Sequence, residues 1–276
     1  MNNDAFSTPA HEAFANSWCI RPLSYERFLR AIRAAAPKAR GAVNPEPEDD
    51  GPKCRIENGV GVIPLVGVMM RNPGWLTEFG ACDTVAFERA VAKYADDPAV
   101  TAILLDVDSP GGSVMGTPEA AEAVTMARSQ KPVLAYSGGL MCSAAYWVAA
   151  RADAVYCSTS AIVGSIGCYA PVYDASRLYA AAGVSVEVIR SGRFKGGNVE
   201  GAPISAEYKA NLQRIVDGIG AQFRASVTAM RPGVNGETME GQEFIGGDGI
   251  PVGLIDSVAG YPQALADAGA LAGLRG

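Results

Sequence analysis

The feature that most constrains the fold is a regular alternation of short apolar runs with helical patterns after residue 56. Residues 60–70, 100–107 and 133–136 are runs of mainly aliphatic residues, which is typical of buried strands. Between the first two runs, apolar side chains such as Phe87 and Val91 recur at helical spacing. Strands that alternate with helices predict a layered α/β domain.

The first 55 residues differ in character from this domain. Residues 25–36 are predicted to form a short amphipathic helix, and residues 44–52 are acidic and proline-rich, as in a solvated linker. Hydrophobic residues make up 49% of the chain, so a sizeable core is available. We therefore predict an N-terminal arm with its linker at 1–55 and one folded domain at 56–276.

Two further elements are predicted in the C-terminal half. Residues 184–189 have the alternating β-branched pattern of a strand, and Ser205 is predicted to open a long helix. The apolar face of that helix is predicted to consist of Tyr208, Leu212, Ile215, Ile219, Phe223 and Val227.

Charge and targeting patterns exclude several classes of function. The net charge is −6 and no long basic run occurs, which argues against nucleic-acid binding. The N-terminus lacks the basic-then-apolar pattern of a secretory signal. The uncharged windows 132–150 and 154–173 are interrupted by small polar residues, so we predict buried core elements there and no membrane anchor. The expected location is the cytoplasm.

The chain has one histidine, His11, and it lies in the polar N-terminal stretch. A Ser-His-Asp triad, a Cys-His pair and most catalytic zinc sites need an imidazole inside the fold. The six cysteines form no C-x-x-C pair and are predicted to be reduced core thiols. We therefore expect no metal and no cofactor, and a lysine amine is the main remaining candidate for a general base.

The first segment that bears on chemistry spans residues 106–114. A predicted strand ends there in the turn Pro110-Gly111-Gly112, whose glycine N–H groups are free to point into a cleft and stabilise an oxyanion. A plain turn is the alternative interpretation. Asp108 is predicted to accept hydrogen bonds from loop amides rather than to take part in chemistry.

The second segment spans residues 138–147, where a strand gives way to a Gly-Gly turn and then a helix. Ser143 is predicted at the helix N-terminus, where it is either a nucleophile or an ordinary capping residue. Cys142 is a rival nucleophile, but its apolar neighbours predict a packed thiol.

The third segment, residues 191–197, places Lys195 in a loop bounded by glycines. Most loop lysines are only solvated. Between the second and third segments lies the turn 164–167, which carries the hydroxyl of Ser165.

Taken together, these segments resemble the Ser-Lys serine proteases that include signal peptide peptidase A and the phage capsid-assembly (prohead) proteases. The resemblance covers roughly residues 56–260 and rests on Asp-Ser-Pro-Gly-Gly, Cys-Ser-Ala-Ala-Tyr, Gly-Ser-Ile-Gly and Ser-Gly-x-x-Lys in that order. Ser143 stands 52 positions before Lys195 and 22 before Ser165, which fits the single-domain members. The fold implied is the layered α/β fold of Clp protease and crotonase, built from repeated strand–strand–helix units.

The resemblance also implies roles. Ser143 is then the nucleophile, Lys195 the general base and Ser165 the residue that orients Lys195. Backbone N–H groups of Gly111 or Gly112 and of Ala144 form the oxyanion hole. An extended peptide is expected to pair with the segment after Gly112, along Ser113 and Val114. Related proteins build their clefts near subunit contacts, so a homo-oligomer is expected.

If Lys195 is the general base, its amine must be neutral when the reaction begins. An ordinary lysine amine has a pKa of about 10.4, so its neutral form at pH 7 costs about 4.6 kcal/mol. We therefore expect an apolar pocket around Lys195, formed at the latest when substrate binds.

The substrates expected from the phage-type branch are scaffold and head proteins, cleaved during capsid maturation in the host cytoplasm. One alternative is a cytoplasmic peptidase that degrades peptides, as signal-peptide-peptidase-like enzymes do. Another is a crotonase-like acyl-CoA enzyme, although neither active-site segment offers the carboxylates that such enzymes use. A third is a non-catalytic assembly module that keeps only the fold.

Overall fold

The computed structural model describes residues 17–39 and 52–275. The linker prediction at 44–52 and His11 fall almost entirely outside these residues. Thirteen strands and seven α-helices occur in the described part. The strands are β1 (Trp18–Ile20), β2 (Arg55–Glu57), β3 (Val60–Val66), β4 (Val68–Met70), β5 (Ala81–Asp83), β6 (Ala102–Asp108), β7 (Gly111–Ser113), β8 (Val133–Ser137), β9 (Leu140–Cys142), β10 (Ala154–Cys157), β11 (Ile162–Gly164), β12 (Glu243–Ile245) and β13 (Ser257–Val258). The helices are α1 (Pro22–Ala39), α2 (Thr84–Asp96), α3 (Thr117–Gln130), α4 (Ala144–Ala149), α5 (Ser176–Ala181), α6 (Ala206–Met230) and α7 (Tyr261–Arg275).

A six-stranded sheet in the order β13-β10-β8-β6-β3-β2 forms the centre of the domain. Its strands are parallel except for β2, which forms a hairpin with β3. Successive side chains of a strand point to opposite faces. Accordingly Ile103 and Leu105 join the core beneath α2, α3 and α4, whereas Leu104 packs beneath α7 on the other face. The predicted layered α/β class is confirmed.

Two small sheets lie beyond the carboxyl ends of the central strands. One has the order β1-β7-β4-β5 and the other the order β12-β11-β9. They form because β3, β6 and β8 are each followed by a sharp turn and a second short strand, which leaves the plane of the central sheet. At the first of these turns Gly67 has φ +93°, and a Cβ there would lie 2.1 Å from the carbonyl oxygen of Gly80. The strand predicted over residues 60–70 is therefore two strands.

The N-terminal arm packs against the domain through its own apolar cluster. The predicted helix at 25–36 is confirmed as part of α1, which also includes Pro37. Tyr25, Phe28, Leu29 and Ile32 of α1 are buried with Trp18 and Ile20 of β1 against β4 and β5. The division at residue 55 stays a prediction, but the described part of the arm is not a solvated tail.

The strand predicted at 184–189 is wrong. These residues have no regular secondary structure and are mostly exposed, because their β-branched side chains have no neighbouring strand to pair with and no core to cover. The long helix α6 is confirmed, with Ser205 as its N-cap accepting a hydrogen bond from the Tyr208 N–H. Of its predicted apolar face only Phe223 and Val227 are buried, so the N-terminal half of α6 stands away from the core.

We predict that the two halves of α6 differ sharply in their contribution to stability. Phe223 is fully buried and stacks on Trp147 with ring centroids 4.5 Å apart, so Phe223→Ala should lower the free energy of unfolding by about 3–5 kcal/mol. The matched change Ile215→Ala removes a side chain that is 40% exposed and should cost less than about 1 kcal/mol. Urea unfolding measures both. Equal losses would contradict this packing.

Candidate active site

Ser143 occupies a sharp turn between β9 and α4. Its backbone has φ 55° and ψ −121°, a conformation that costs a non-glycine residue about 1–3 kcal/mol. The residue is only 1% exposed. Its N–H donates to the Gly164 carbonyl at 2.7 Å, and its hydroxyl donates to the Gly167 carbonyl at 3.4 Å. The turn therefore fixes one hydroxyl at the rim of the cleft. Ser143 stands at the N-cap position of α4, but its side chain accepts no capping hydrogen bond.

Gly111, one of the two glycines predicted for the oxyanion hole, lies directly beside this serine, and Gly112 follows it in β7. A Cβ placed on Gly111, which has φ +97°, would lie 2.9 Å from Ser143 Cβ and 3.0 Å from the Ala144 nitrogen. Only glycine permits this approach. The Gly111 N–H donates to Ser109 Oγ at 3.2 Å, whereas Gly112 stands in β7 opposite Cys19 of β1 and Met69 of β4. The Ala144 N–H belongs to the first turn of α4, where the helix supplies no acceptor.

Ser165, like Ser143, stands in a strained turn, and the two turns are neighbours in the structure. It has φ 53° and is buried, and its N–H donates to the Gln242 carbonyl at 2.6 Å. This bond continues the pairing of β11 with β12, in which Gly164 lies opposite Glu243. The segment 240–244, to which sequence analysis assigned no role, therefore supports the Ser165 turn.

A cavity of about 300 Å³ is lined by both Ser143 and Ser165. Ser143 and Ser165 line it together with residues of α6 and of the arm, which are Gln213, Val216, Asp217, Gly220, Arg224, Ile20 and Pro22. Lys195 is exposed in the turn before α6 and is not among the described residues that line this cavity. The structure thus brings together Ser143, Ser165, Gly111, Gly112 and Ala144, and it leaves Lys195 outside this group.

The predicted packed state of Cys142 is confirmed. Burial raises the pKa of its thiol to about 12, and the thiol donates to the Ile162 carbonyl at 3.3 Å. The thiolate that a nucleophile requires is therefore unfavourable here. All six cysteines are free thiols, but only Cys19, Cys142 and Cys157 are buried as predicted, and the other three are half-buried. The prediction for Asp108 is also confirmed, since its carboxylate accepts from the Leu140 N–H at 3.0 Å.

Ser113 and Val114, the predicted partners of a peptide strand, lie on an edge that is already paired. β1 runs antiparallel to β7, with Trp18 opposite Ser113 and Ile20 opposite Gly111. The other edge of β7 pairs with β4. The substrate role of Ser113 and Val114 stays a prediction. Sequence analysis missed the presence of β1 at this edge, and the signal for it was the apolar triplet Trp18-Cys19-Ile20 in a polar stretch.

Neither a metal-binding cluster nor a membrane-spanning helix occurs among the described residues. In that part of the chain, no group of three or more His, Cys, Asp or Glu side chains is placed to hold a metal ion. Within the same residues, no helix is long and apolar enough to cross a membrane.

A sequence model of peptidase family S49 matches residues 125–275, which is more than half of the chain. The chain therefore belongs to this family of peptidases. The match includes Ser143, Ser165 and Lys195, whereas Gly111 and Gly112 precede it.

Curated relatives of this chain include proteins of bacteriophages and of bacteria. The head-tail preconnector protein GP5 of Enterobacteria phage P21 is 29% identical over 215 residues, covering 76% of this chain and 43% of that protein. Capsid assembly protease C of Escherichia phage lambda is 30% identical over 235 residues, covering 79% and 51%. Protease 4 of Salmonella typhi is 29% identical over 197 residues, covering 70% and 31%. The chain spans about half, or less, of the length of these relatives.

Solved structures whose backbone follows a distantly similar path include two kinds of enzyme. One is an enoyl-CoA hydratase/isomerase family member, with 14% identity, a TM-score of 0.44 and coverage of 81% of this chain and 75% of that one. Another is a membrane-bound stomatin-specific protease, with 15% identity, a TM-score of 0.45 and coverage of 76% and 84%. The family assignment comes from the sequence match and not from these likenesses.

The strained turn at Ser143 makes a prediction about stability. Glycine adopts φ 55° and ψ −121° without the steric penalty of a Cβ, so Ser143→Gly should be more stable than Ser143→Ala by about 1 kcal/mol. This net value already includes the greater flexibility of glycine in the unfolded chain. Urea unfolding of the two variants measures the difference. A Ser143→Gly variant that is clearly the less stable of the two would show that the turn is not strained.

Proposed function

We propose that the chain is a serine endopeptidase in which Ser143 is the nucleophile and Lys195 the general base. The observation that carries the proposal is the close approach of three groups. A Cβ placed on Gly111 would lie within about 3 Å of both Ser143 Cβ and the Ala144 nitrogen. A buried hydroxyl beside convergent backbone donors is the arrangement that acyl transfer needs. Family membership supports peptide bonds as the substrate.

In the proposed reaction, Ser143 Oγ attacks the carbonyl carbon of the scissile bond and its proton passes to neutral Lys195 Nζ. The carbonyl oxygen becomes an oxyanion that accepts hydrogen bonds from the N–H groups of Gly112 and Ala144. When the tetrahedral intermediate collapses, Lys195 gives the proton to the leaving amine. Water then attacks the acyl-enzyme with Lys195 again as base, and Ser143 is released.

This reaction requires Lys195 to move into the cleft. In the structure Lys195 lies in the segment between α5 and α6, where Ile189 is 94% exposed and Val184 is also open to solvent, and Leu178 of the preceding helix α5 is exposed as well. An exposed apolar patch of this kind marks a contact surface. We propose that a second copy of the chain covers it and that the same contact seats Lys195 beside Ser165. The uncharged window 154–173 is a weaker candidate for this surface, because Val155 and Cys157 of β10 and residues 163–166 are buried.

The proposed substrates are scaffold or head proteins of a phage capsid. This rests on the similarity to proteins named as a head-tail preconnector and a capsid assembly protease. A more general peptidase of the protease 4 type is the alternative that the relatives also support. The proposed place of action is the cytoplasm, that of the host if a phage encodes the chain, and the six free cysteines agree with a reducing compartment.

The first prediction concerns the nucleophile. Ser143→Ala should lower the rate of peptide hydrolysis by about 10⁴-fold or more, because the acyl-enzyme cannot form without the Ser143 hydroxyl. The neighbouring change Cys142→Ala is the matched control and should leave most of the activity. Hydrolysis of a fluorogenic peptide measures both rates. Activity that survives in Ser143→Ala and is lost in Cys142→Ala would sink the assignment.

The second prediction concerns the base. Acylation needs the neutral amine of Lys195, so the rate should rise with pH and be highest above neutrality. Lys195→Arg should be inactive at every pH, since a guanidinium keeps its proton. Ser165→Ala removes one orienting hydrogen bond and should be milder. The measurement is the rate against pH for the three proteins, and an active arginine variant would exclude Lys195.

The third prediction concerns assembly. Ile189→Glu places a charge in the proposed contact and should both shift the chain toward the monomer and reduce hydrolysis. Met126→Glu is the control, because Met126 is a similarly apolar and 62% exposed residue on α3, far along the chain from that segment. Light scattering and peptide hydrolysis measure the outcome. A fully active monomer would contradict the proposal.

A further inference from the structure

β1 lies between β7 and the segment that carries Tyr169, in the cleft beside Ser143, as a bound peptide strand would. On one side it pairs with β7, and the ladder is extended by hydrogen bonds from the Arg21 N–H to the Pro110 carbonyl at 3.0 Å and from the Val114 N–H to the Ser17 carbonyl at 3.2 Å. On the other side, Trp18 and Tyr169 exchange two backbone hydrogen bonds of 2.9 and 3.0 Å. Both edges of this short strand are therefore held by the walls of the cleft.

The carbonyl oxygen of Cys19 lies close to the proposed oxyanion donors. The Cβ position of Gly111 that lies near Ser143 and the Ala144 nitrogen is also 2.2 Å from the carbonyl oxygen of Cys19. In the ladder, Cys19 stands opposite Gly112, the donor assigned above. The Cys19–Ile20 peptide bond therefore lies next to the donors that the proposed mechanism assigns to the bond to be cut.

We propose that residues 17–21 are a built-in inhibitor, a peptide-like occupant of the cleft that an incoming substrate must displace. This inference rests on the proposed function, because it takes the cleft to be the peptide site. It also indicates the class of peptide that the cleft accepts. Trp18 and Ile20 point into one apolar cluster with Val68 and Met70, so a competing peptide should carry large apolar side chains at alternate positions.

The anchoring of β1 favours an inhibitor over a substrate. Before the Cys19–Ile20 bond, Trp18 is fully buried, with its ring 5.0 Å from that of Tyr25. After the bond, Arg21 forms a bidentate ion pair with Glu243 at 2.6 and 2.7 Å, and α1 continues the anchored segment. If the bond were cut, both ends would stay in place, so rejoining would compete with release. A segment that is ordered before binding also loses little entropy when it occupies the site.

The Arg21–Glu243 ion pair offers a mild way to open the cleft, because it is partly exposed and lies outside the core. The probe is a fluorescein-labelled heptapeptide Asn-Ser-Trp-Ser-Ile-Ala-Pro, which follows residues 16–22 but has serine for Cys19 and alanine for Arg21. The alanine makes binding insensitive to the charge at position 243. Fluorescence anisotropy is measured with full-length chains that all carry Ser143→Ala, so that the probe is not cut.

Arg21→Glu should tighten probe binding about fivefold or more, because it replaces an attraction with a repulsion and raises the fraction of open clefts. Arg21→Glu combined with Glu243→Arg restores the pair and should return binding to the level of the parent chain. Trp18→Ala, which removes the largest anchor, should tighten binding by at least about tenfold. Equal probe affinity in all four chains would overturn the proposal.

The intact mass of the chain with Ser143 present provides a second arm of the test. An inhibitor leaves the chain at full length, whereas a fragment that begins at Ile20 would show that the segment is a substrate and would overturn the inhibitor assignment. Failure of the proposed function would look different. The Ser143-containing chains would then cleave no peptide, while the binding comparison in the Ser143→Ala chains would keep its meaning.

Discussion

The site depends on one close contact, between the glycine turn at the end of β6 and the serine turn at the end of β9. Gly111 and Ser143 approach so closely that a methyl group on the glycine would collide with the serine Cβ. The contact is held by pairing between the two turns, in which the Ser109 N–H donates to the Leu140 carbonyl and the Cys142 N–H donates to the Ser109 carbonyl. Neighbouring parallel strands β6 and β8 deliver both turns to the same edge of the central sheet. Sheet topology therefore places a hydroxyl beside backbone donors that lie about 30 residues away in sequence.

Much of the site could be predicted from the sequence, because its main residues need backbone conformations that short local motifs specify. A strand followed by Pro-Gly-Gly, and another followed by Gly-Gly and then a serine before small residues, indicate sharp turns wherever they occur. The parallel α/β order then brings the turns together. In this way the sequence predicted that Ser143, Ser165, Gly111, Gly112 and Ala144 would be neighbours. The buried thiol of Cys142 followed from its apolar neighbours in the same way.

The parts that sequence analysis missed depend on contacts that no local pattern records. Residues 184–189 have the alternation of a strand, but a strand forms only where a neighbour offers free backbone groups, and none does so here. The N-terminal half of α6 has an apolar face, yet the domain covers it only in part: Tyr208 and Leu212 are half-buried and Ile215 is exposed. Trp18–Ile20 is too short to be recognised as a strand, and its partner strand β7 lies more than 90 residues further along the chain.

The central claim is that the hydroxyl of Ser143 is the activated nucleophile of this fold. The most direct measurement is covalent modification of the wild-type chain by a fluorophosphonate, with the site of the adduct mapped by mass spectrometry of peptide fragments. The account predicts a single adduct, on Ser143, that forms faster as the pH rises from 6 to 9, because the modification needs the same neutral amine as acylation. An adduct on Ser165 or another residue, or no adduct under conditions in which the chain cleaves peptide, would contradict it.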